Sequence, residues 1–209
     1  MNSSMLLFFS TLILPLAAPA APPSFDCAKA DGEVETLICS DAALAALDGK
    51  LDATYKAAAA QAEGALATRL REDQRGWLKG RDECWKATAT TWITASWTVD
   101  TVRACVDAQY RLRISELQAL WRLLPPETVA FACNGNPVNE LITNFFASDP
   151  PTIRIERGER TATLGKVGAA ADGLYEGQNV SVMRRGADLE VSWLDVDSGQ
   201  IDELQCTPR

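Results

Sequence analysis

Apolar residues recur at helical spacing through the first half of the chain. Between positions 40 and 64 they fall three or four residues apart, at Leu44, Leu47, Leu51, Tyr55 and Ala58. Ser40 or Asp41 can cap the start of this helix, and Gly64 can end it. The same spacing predicts three further helical segments, namely a short turn at 33–39, a helix at about 65–86 and a helix at about 100–124. The pattern therefore indicates a small helical bundle.

The apolar period changes to two in the second half, and the runs become short. Pro125 and Pro126 prevent a helix from continuing, so we place the boundary between two units there, giving 21–124 and 125–209. The candidate strands that follow are Val129–Cys133, Glu140–Phe146, Thr152–Glu156, Arg160–Lys166, Val180–Arg184, Leu189–Leu194 and Ile201–Gln205. Short, regularly spaced strands predict an antiparallel sandwich or a small barrel. The fold class is therefore α+β, with two domains.

The first twenty residues have the pattern of a secretory signal. An apolar run from Met5 to Leu16 precedes the small residues Ala18 and Ala20, which flank a proline as in an A-x-A cleavage site. No later apolar run approaches the roughly 20 residues that a membrane-spanning helix needs. Cys27 lacks the small-residue context of a lipoprotein cleavage site. We therefore expect a periplasmic or secreted protein without a lipid anchor.

The six cysteines all follow this segment, at Cys27, Cys39, Cys84, Cys105, Cys133 and Cys206. An even number in an exported chain favours three disulfides over thiol chemistry. Cys133 and Cys206 lie in the first and last candidate strands, where a bridge would close the sheet. The other four allow three pairings, and the sequence does not choose among them; we expect Cys27–Cys39 with Cys84–Cys105.

Composition limits the chemistry that is available. The chain has no histidine, which removes the commonest general base and the commonest metal ligand, so we expect neither an enzyme nor a metal or cofactor. The charge is uneven: 21–124 carries 15 acidic and 13 basic residues, net −2, while 125–209 carries 13 and 7, net −6. This disfavours nucleic acid and favours a cationic protein as the partner.

Several motifs of the first half resemble the LprI N-terminal domain family, a helical four-cysteine module named after a lysozyme-inhibiting lipoprotein. The motifs are FDCAKA at Phe25–Ala30, E-x-x-x-C at Glu35–Cys39, L-x-x-L-D at Leu44–Asp48, Tyr55, Q-x-x-W-L-x-x-R-D-x-C at Gln74–Cys84 and C-x-x-x-x-Y-x-x-R-I-x-x-L at Cys105–Leu117. The segment between Cys84 and Cys105 is longer than is usual for that family and carries Trp92 and Trp97. These two tryptophans either form a second binding surface or cover one end of the bundle.

The second half is similar to the family of the membrane-bound lysozyme inhibitor of c-type lysozyme (MliC), an eight-stranded antiparallel barrel. The resemblance rests on F-x-C at Phe131–Cys133, G-x-Y at Gly173–Tyr175, R-R-G at Arg184–Gly186 and Cys206. In that family an S-G-x-x-Y loop and a K-G hairpin present a serine and a lysine to the lysozyme active site. The resemblance implies a barrel that blocks a lysozyme.

Two family positions differ in this chain. The serine position falls on Ala171, or on Asp172 if one residue is deleted, and the lysine position, ten residues after Tyr175, is Arg185. Arginine keeps the charge and offers a forked donor to carboxylates. An aspartate would be repelled by catalytic carboxylates unless a proton or Arg184 intervened. The same cluster is also compatible with ordinary glycine turns surrounded by solvated charges.

The resemblances together imply an exported inhibitor that blocks the cleft of a c-type lysozyme. The sequence leaves other functions open, namely an envelope structural or assembly protein, a glycan-binding protein using Trp92 and Trp97, and a carboxylate-based glycan hydrolase. Asp172, Glu176 and Asp188 argue against the hydrolase, because they lie in predicted turns and such an enzyme needs two acids that converge across a groove.

Overall fold

The computed structural model describes residues 22–87, 91–94, 97–99, 101–167 and 173–209. The predicted signal peptide lies outside them. The described N-terminal region holds four α-helices, α1 (Glu33–Ser40), α2 (Ala42–Ala59), α3 (Gly64–Asp82) and α4 (Val102–Leu120), with 3₁₀ turns at Cys27–Lys29 and Glu83–Lys86. None of the helices in the described ranges is long and apolar enough to cross a bilayer.

Two of the four described helices begin at a side chain that caps them. Asp41 accepts hydrogen bonds from the amides of Ala43 and Leu44 at the start of α2, and Thr101 caps α4 in the same way. Gly64 was predicted to end a helix. It is instead the first residue of α3, with φ +53°, because α2 has already ended at Ala59.

The helical core forms around α4. Apolar side chains of α4 pack against those of α1, α2 and α3, and the most deeply buried are Ile38, Leu44, Ala58, Val106, Tyr110, Ile114 and Leu117. The disulfide Cys27–Cys39 links the start of the unit to α1, and Cys84–Cys105 links the 3₁₀ turn after α3 to α4. The expected pairing is therefore confirmed. Between Cys84 and Cys105, strands β1 (Thr91–Thr94) and β2 (Trp97–Val99) form an antiparallel hairpin that was not predicted.

The C-terminal region is a closed barrel of eight antiparallel strands. They are β3 (Glu127–Cys133), β4 (Asn136–Phe146), β5 (Thr152–Arg157), β6 (Arg160–Lys166), β7 (Leu174–Gly177), β8 (Val180–Arg185), β9 (Asp188–Leu194) and β10 (Ile201–Pro208). Each strand pairs with the next, and β10 pairs with β3 to close the cylinder. The α+β fold and the barrel are confirmed. The strand β7 was missed, because it has only four residues and lies beside Gly173.

The disulfide Cys133–Cys206 lies on the closing seam. The two residues are direct partners across β3 and β10, and both are buried. Alternate residues of every strand point inward, which produces an apolar interior that includes Phe131, Leu141 and Trp193. The bridge therefore fixes the one strand pair that joins the two ends of the barrel sequence.

Helix α4 also packs against the outside of β5 and β6. A side chain at Gly165 would lie 3.3 Å from the Leu112 methyl, so the absence of one lets the helix approach the sheet closely. Arg154 donates to the carbonyl of Leu120 at the end of α4, and Arg111 pairs with Asp149 in the β4–β5 loop. One helix thus belongs to both the bundle and the barrel surface.

Candidate functional site

Three of the predicted binding residues, Tyr175, Arg184 and Arg185, lie at one end of the barrel. Because consecutive strands are antiparallel, the β4–β5, β6–β7 and β8–β9 connections share that end. The β8–β9 turn carries Arg184 and Arg185 and reverses at Gly186, whose φ of +66° suits glycine. We refer to residues 184–188 as the arginine hairpin. Asp172 lies outside the described residues.

Arg185 points outward from the arginine hairpin. Its side chain is 64% exposed, and its Nε donates to the Glu190 carboxylate at 2.9 Å. An exposed ion pair of this kind contributes at most about 1 kcal/mol. A carboxylate on a partner can therefore take the place of Glu190 at little cost. The guanidinium also offers the planar fork that binds a carboxylate through two hydrogen bonds.

Arg184 turns the other way, across the barrel opening. Its guanidinium carbon lies 4.9 Å from the centre of the Phe145 ring, and its Nε donates to the carbonyl of Gly186 at 3.1 Å. Phe145 belongs to β4, which is not a neighbour of β8 in the sheet, so this contact spans the opening. The cation and ring together close the barrel end and hold the arginine hairpin in place.

Tyr175 supports this end from inside the barrel. Its side chain is 8% exposed and packs in the apolar interior. Burial raises the pKa of its phenol, and the nearby Arg184 charge opposes that shift in part. Tyr175 therefore supports the strand that leads to the arginine hairpin, and its phenol ring is almost fully buried.

Gly173 fixes how β7 meets the arginine hairpin. The Arg184 amide donates to the Gly173 carbonyl at 2.8 Å, and Gly173 has a φ of +87°. A Cβ atom there would lie 2.4 Å from the Arg184 carbonyl oxygen, which no side chain tolerates. Both the backbone angle and the close approach therefore require glycine.

A second arginine cluster closes the opposite end of the barrel. Asp202 accepts hydrogen bonds from Arg157 at 3.0 Å and from Arg160 at 2.9 Å, and Arg160 stacks 4.4 Å from the centre of the Trp193 ring. These contacts join β5 and β6 to β9 and β10 across the barrel. These contacts were not predicted from the sequence, because charged residues at strand ends resemble ordinary turn residues.

The motifs of the first half meet inside the helical unit. Arg81 donates to the Tyr110 hydroxyl at 3.0 Å, and that hydroxyl donates to Asp48 at 2.8 Å. Asp82 accepts a hydrogen bond from Arg81 at 2.6 Å, and the Glu35 carboxylate lies 3.8 Å from the Arg81 guanidinium. Arg81, Tyr110 and Asp48 are all buried. These motif residues therefore build the scaffold and do not form an exposed surface.

The second predicted surface lies on the β1–β2 hairpin. Trp92 is the backbone partner of Thr98, and Trp97 is the partner of Thr94. The side chains of both tryptophans lie outside what the structure describes. Within the described ranges, no cluster of three or more acidic or cysteine side chains could hold a metal ion.

Comparison with known proteins gives one match. Residues 27–117 match the family model described as lysozyme inhibitor LprI. The match covers the helical unit, which is less than half of the 209-residue chain, and the barrel lies beyond it. No curated protein and no solved structure matches the chain. The helical unit is thus similar to a lysozyme-inhibitor family, while the barrel is defined by its fold alone.

Proposed function

We propose that this protein is an exported inhibitor of lysozyme. The observation that carries the proposal is the match of residues 27–117 to the lysozyme-inhibitor family. The three disulfides support export, because such bridges persist in oxidising compartments. An inhibitor that acts by binding needs no catalytic groups and no cofactor, which agrees with a chain that lacks histidine.

The barrel end with the arginine hairpin is the proposed inhibitory surface. A c-type lysozyme, which cleaves glycan with a pair of carboxylates, offers a target for an exposed guanidinium. Arg185 is 64% exposed and forms a surface pair with Glu190 among the described residues. The Arg184 guanidinium packs on the Phe145 ring, and Tyr175 is buried. The role that we propose for these two residues is to keep the hairpin rigid. Inhibition would then be steric, with the hairpin occupying the cleft.

Charge supports the choice of partner. The barrel region carries a net charge of −6. A strongly basic lysozyme would be drawn towards this region before short-range contacts form, which raises the association rate. Screening acts over about 8 Å at physiological ionic strength, so we expect association to slow as salt is added.

The test titrates purified mature protein against c-type lysozyme and follows residual muramidase activity. Arg185→Ala should weaken inhibition about 30-fold, the effect of losing an interface residue worth about 2 kcal/mol. The matched control is Arg209→Ala. Arg209 also forms an exposed pair, with Glu140, and its loss changes the barrel charge equally. Equal losses of inhibition in the two variants would rule out the hairpin as the contact surface. Full muramidase activity of lysozyme in the presence of micromolar wild-type protein would refute inhibition.

One observation favours a second location for the inhibitory surface. The family match covers the helical unit and not the barrel, so the β1–β2 hairpin with Trp92 and Trp97 is the competing candidate. Trp92→Ala should leave inhibition unchanged if the barrel blocks the cleft. Loss of inhibition in Trp92→Ala together with normal inhibition in Arg185→Ala would assign the function to the helical unit.

A further inference from the structure

A groove of about 540 Å³ lies on the outer surface of the barrel, across β7, β8, β9 and β10. Its lining includes the short side chains of Ser181 and Ser192, with Leu194 and Ile201 as apolar neighbours. Leu194 and Ile201 are direct partners across β9 and β10, so they form one apolar ledge. Helix α4 packs against β5 and β6, so the groove and the helix occupy different parts of the barrel surface.

Four polar side chains cross the groove in one row. Neighbours in the row are direct partners on adjacent antiparallel strands, and such partners face the same side of a sheet. The row consists, in strand order, of Glu176, Ser181, Ser192 and Glu203. The Ser192 hydroxyl donates to the Glu203 carboxylate at 3.0 Å. Neighbouring strands lie about 4.8 Å apart, so the two carboxylates are separated by about 14 Å with the serines between them.

The negative charge of the barrel region is concentrated beside this groove. Residues 186–208, which form β9 and β10, contain six acidic residues and neither lysine nor arginine. They therefore carry the whole net charge of −6, because the rest of residues 125–209 has 7 acidic and 7 basic side chains. Two of the six, Glu190 and Asp202, pair with arginines of other strands. The other four form no ion pair within the part of the chain that the structure describes, so this surface attracts cations.

Exposed apolar surface accompanies the charge. Ile201 on the ledge is 58% exposed, and Val196 in the neighbouring β9–β10 turn is 67% exposed. Lysine and arginine side chains suit such a surface, because their aliphatic stems pack on apolar groups while their charged ends reach polar acceptors. The groove offers carboxylate and hydroxyl oxygens as acceptors next to the ledge.

We propose that this groove binds basic side chains on an extended segment of a cationic protein partner. The charged ends would meet the carboxylates at the two ends of the row, and an apolar neighbour in the segment would pack on Ile201. Two lysines four residues apart in an extended chain are separated by about 14 Å, which matches the row. The proposal goes beyond the blocking of a lysozyme cleft, because the groove lies on the side of the barrel and the arginine hairpin at its end.

The test uses a short basic peptide as the probe. Mature full-length protein labelled with ¹⁵N is titrated with acetyl-Lys-Ser-Leu-Ser-Lys-amide. The same peptide with glutamine in place of both lysines is the uncharged probe, and sodium chloride keeps the ionic strength equal. The backbone amides of Ser181 and Ser192 report on the groove, and the amide of Gly186 reports on the arginine hairpin.

We expect saturable movement of the Ser181 and Ser192 signals with the lysine peptide, and none with the glutamine peptide or at Gly186. Glu203→Gln keeps an acceptor for the Ser192 hydroxyl and should weaken binding about fivefold, the effect of losing one exposed ion pair. Asp197→Asn is the matched control, because it removes the same charge from the same hairpin outside the groove lining. It should change the affinity less than about twofold, since salt screens the more distant charge.

Ile201→Ser tests the ledge without changing any charge, and it should also weaken binding. Equal losses of affinity in Glu203→Gln and Asp197→Asn would show general attraction by the acidic hairpin and would overturn the proposal. Stationary Ser181 and Ser192 signals, an equal response to the glutamine peptide, or unchanged affinity in Ile201→Ser would overturn it as well. The titration contains no lysozyme, so its outcome is independent of the proposed inhibition.

Discussion

Replacing Tyr110 with phenylalanine should strongly destabilise the helical unit, although it removes a single oxygen atom. The hydroxyl accepts from Arg81 at 3.0 Å and donates to Asp48 at 2.8 Å, and all three residues are buried. Phenylalanine keeps the ring and its packing against Trp77 at 5.3 Å. The substitution therefore isolates the two hydrogen bonds from the apolar contacts.

The magnitude follows from what the two partners retain. Arg81 keeps Asp82, and Asp48 keeps the amide of Ser24 at 2.5 Å, so neither charge is left wholly unpaired. Each lost bond involves a charged group and is worth about 1.5 to 3 kcal/mol. The two bonds share one hydroxyl, so their effects are not additive, and we expect a loss of about 3 kcal/mol.

The assay is urea unfolding followed by circular dichroism at 222 nm, which reports on the helices. Tyr55→Phe is the matched control, because Tyr55 packs against the same core while only partly buried. We expect the control to change the free energy of unfolding by less than about 0.5 kcal/mol. A loss below about 1 kcal/mol in Tyr110→Phe would refute the view that this network stabilises the fold.

The pH dependence gives a second check on Tyr110. Burial raises the pKa of its phenol in the folded protein, and the Arg81 charge only partly opposes this. Between the ordinary value of about 10 and the higher folded value, the unfolded chain loses the proton first. The stabilisation is therefore complete below about pH 10 and declines above it. Tyr110→Phe should lack this decline, so parallel curves for the two proteins above pH 10 would contradict the burial argument.

Three further substitutions test the turns, the cap and the seam. Gly173→Ala should cost more than about 3 kcal/mol in thermal unfolding, because backbone strain and a backbone clash combine there. Gly186→Ala, which has open space around it, should cost about 1 to 2 kcal/mol, and equal costs would exclude the clash. The hydrogen bond from Arg103 lowers the pKa of Asp41 most. The contribution of Asp41 to stability is therefore complete above about pH 5 and is lost as pH falls. Asp41→Asn, which keeps an N-cap, should flatten the acid side of the stability curve, and an unchanged slope would refute this. Replacing Cys133 and Cys206 by serine opens a loop with a sequence separation of 73 and should cost roughly 4 kcal/mol in calorimetry of the barrel, so an unchanged transition would show that the bridge is dispensable.

Much of the fold could be predicted because its elements carry local signals. The helices have apolar residues every three or four positions, and most strands alternate over six or more residues. The strand Leu174–Gly177 could not be found in this way, because four residues give too little alternation and its register depends on β6 and β8. The hairpin of β1 and β2 was missed for the same reason.

The site was predicted only as a cluster of residue types. Arg185 was predicted at the lysine position of the hairpin and Arg184 as a charge beside it, but the contacts of the two side chains were not predicted. In a strand, successive side chains face opposite sides, so Arg184 continues the row of Val180 and Val182 to the rim of the barrel, where it is exposed, while Arg185 lies on the outer face. That difference was available from the period of two. The contact with Phe145 was not, because β4 and β8 meet only across a closed barrel.

The cleft between the helices and the barrel could not be predicted from either half alone. Trp77 and Arg113 lie within motifs that resemble the helical family, and each lines a helix surface that another protein could leave open to water. Here β5 and β6 cover that surface, with Gly165 permitting the close approach of Leu112. The docking of two units thus creates a chemical environment that neither sequence pattern contains.

The described motif residues are buried and the arginine hairpin is exposed. We therefore expect the motif residues to stabilise the fold and the hairpin to contact a partner. Tyr110 and Arg81 use their polar atoms within the fold, so Tyr110→Phe should lower stability and leave inhibition per folded molecule unchanged. Arg185 is exposed and weakly paired, so Arg185→Ala should lower affinity and leave the unfolding curve unchanged within about 0.5 kcal/mol. The test records the unfolding curve of both variants and measures their inhibition of lysozyme well below the unfolding midpoint. A motif variant that unfolds normally but binds lysozyme poorly would place the contact surface on the helical unit.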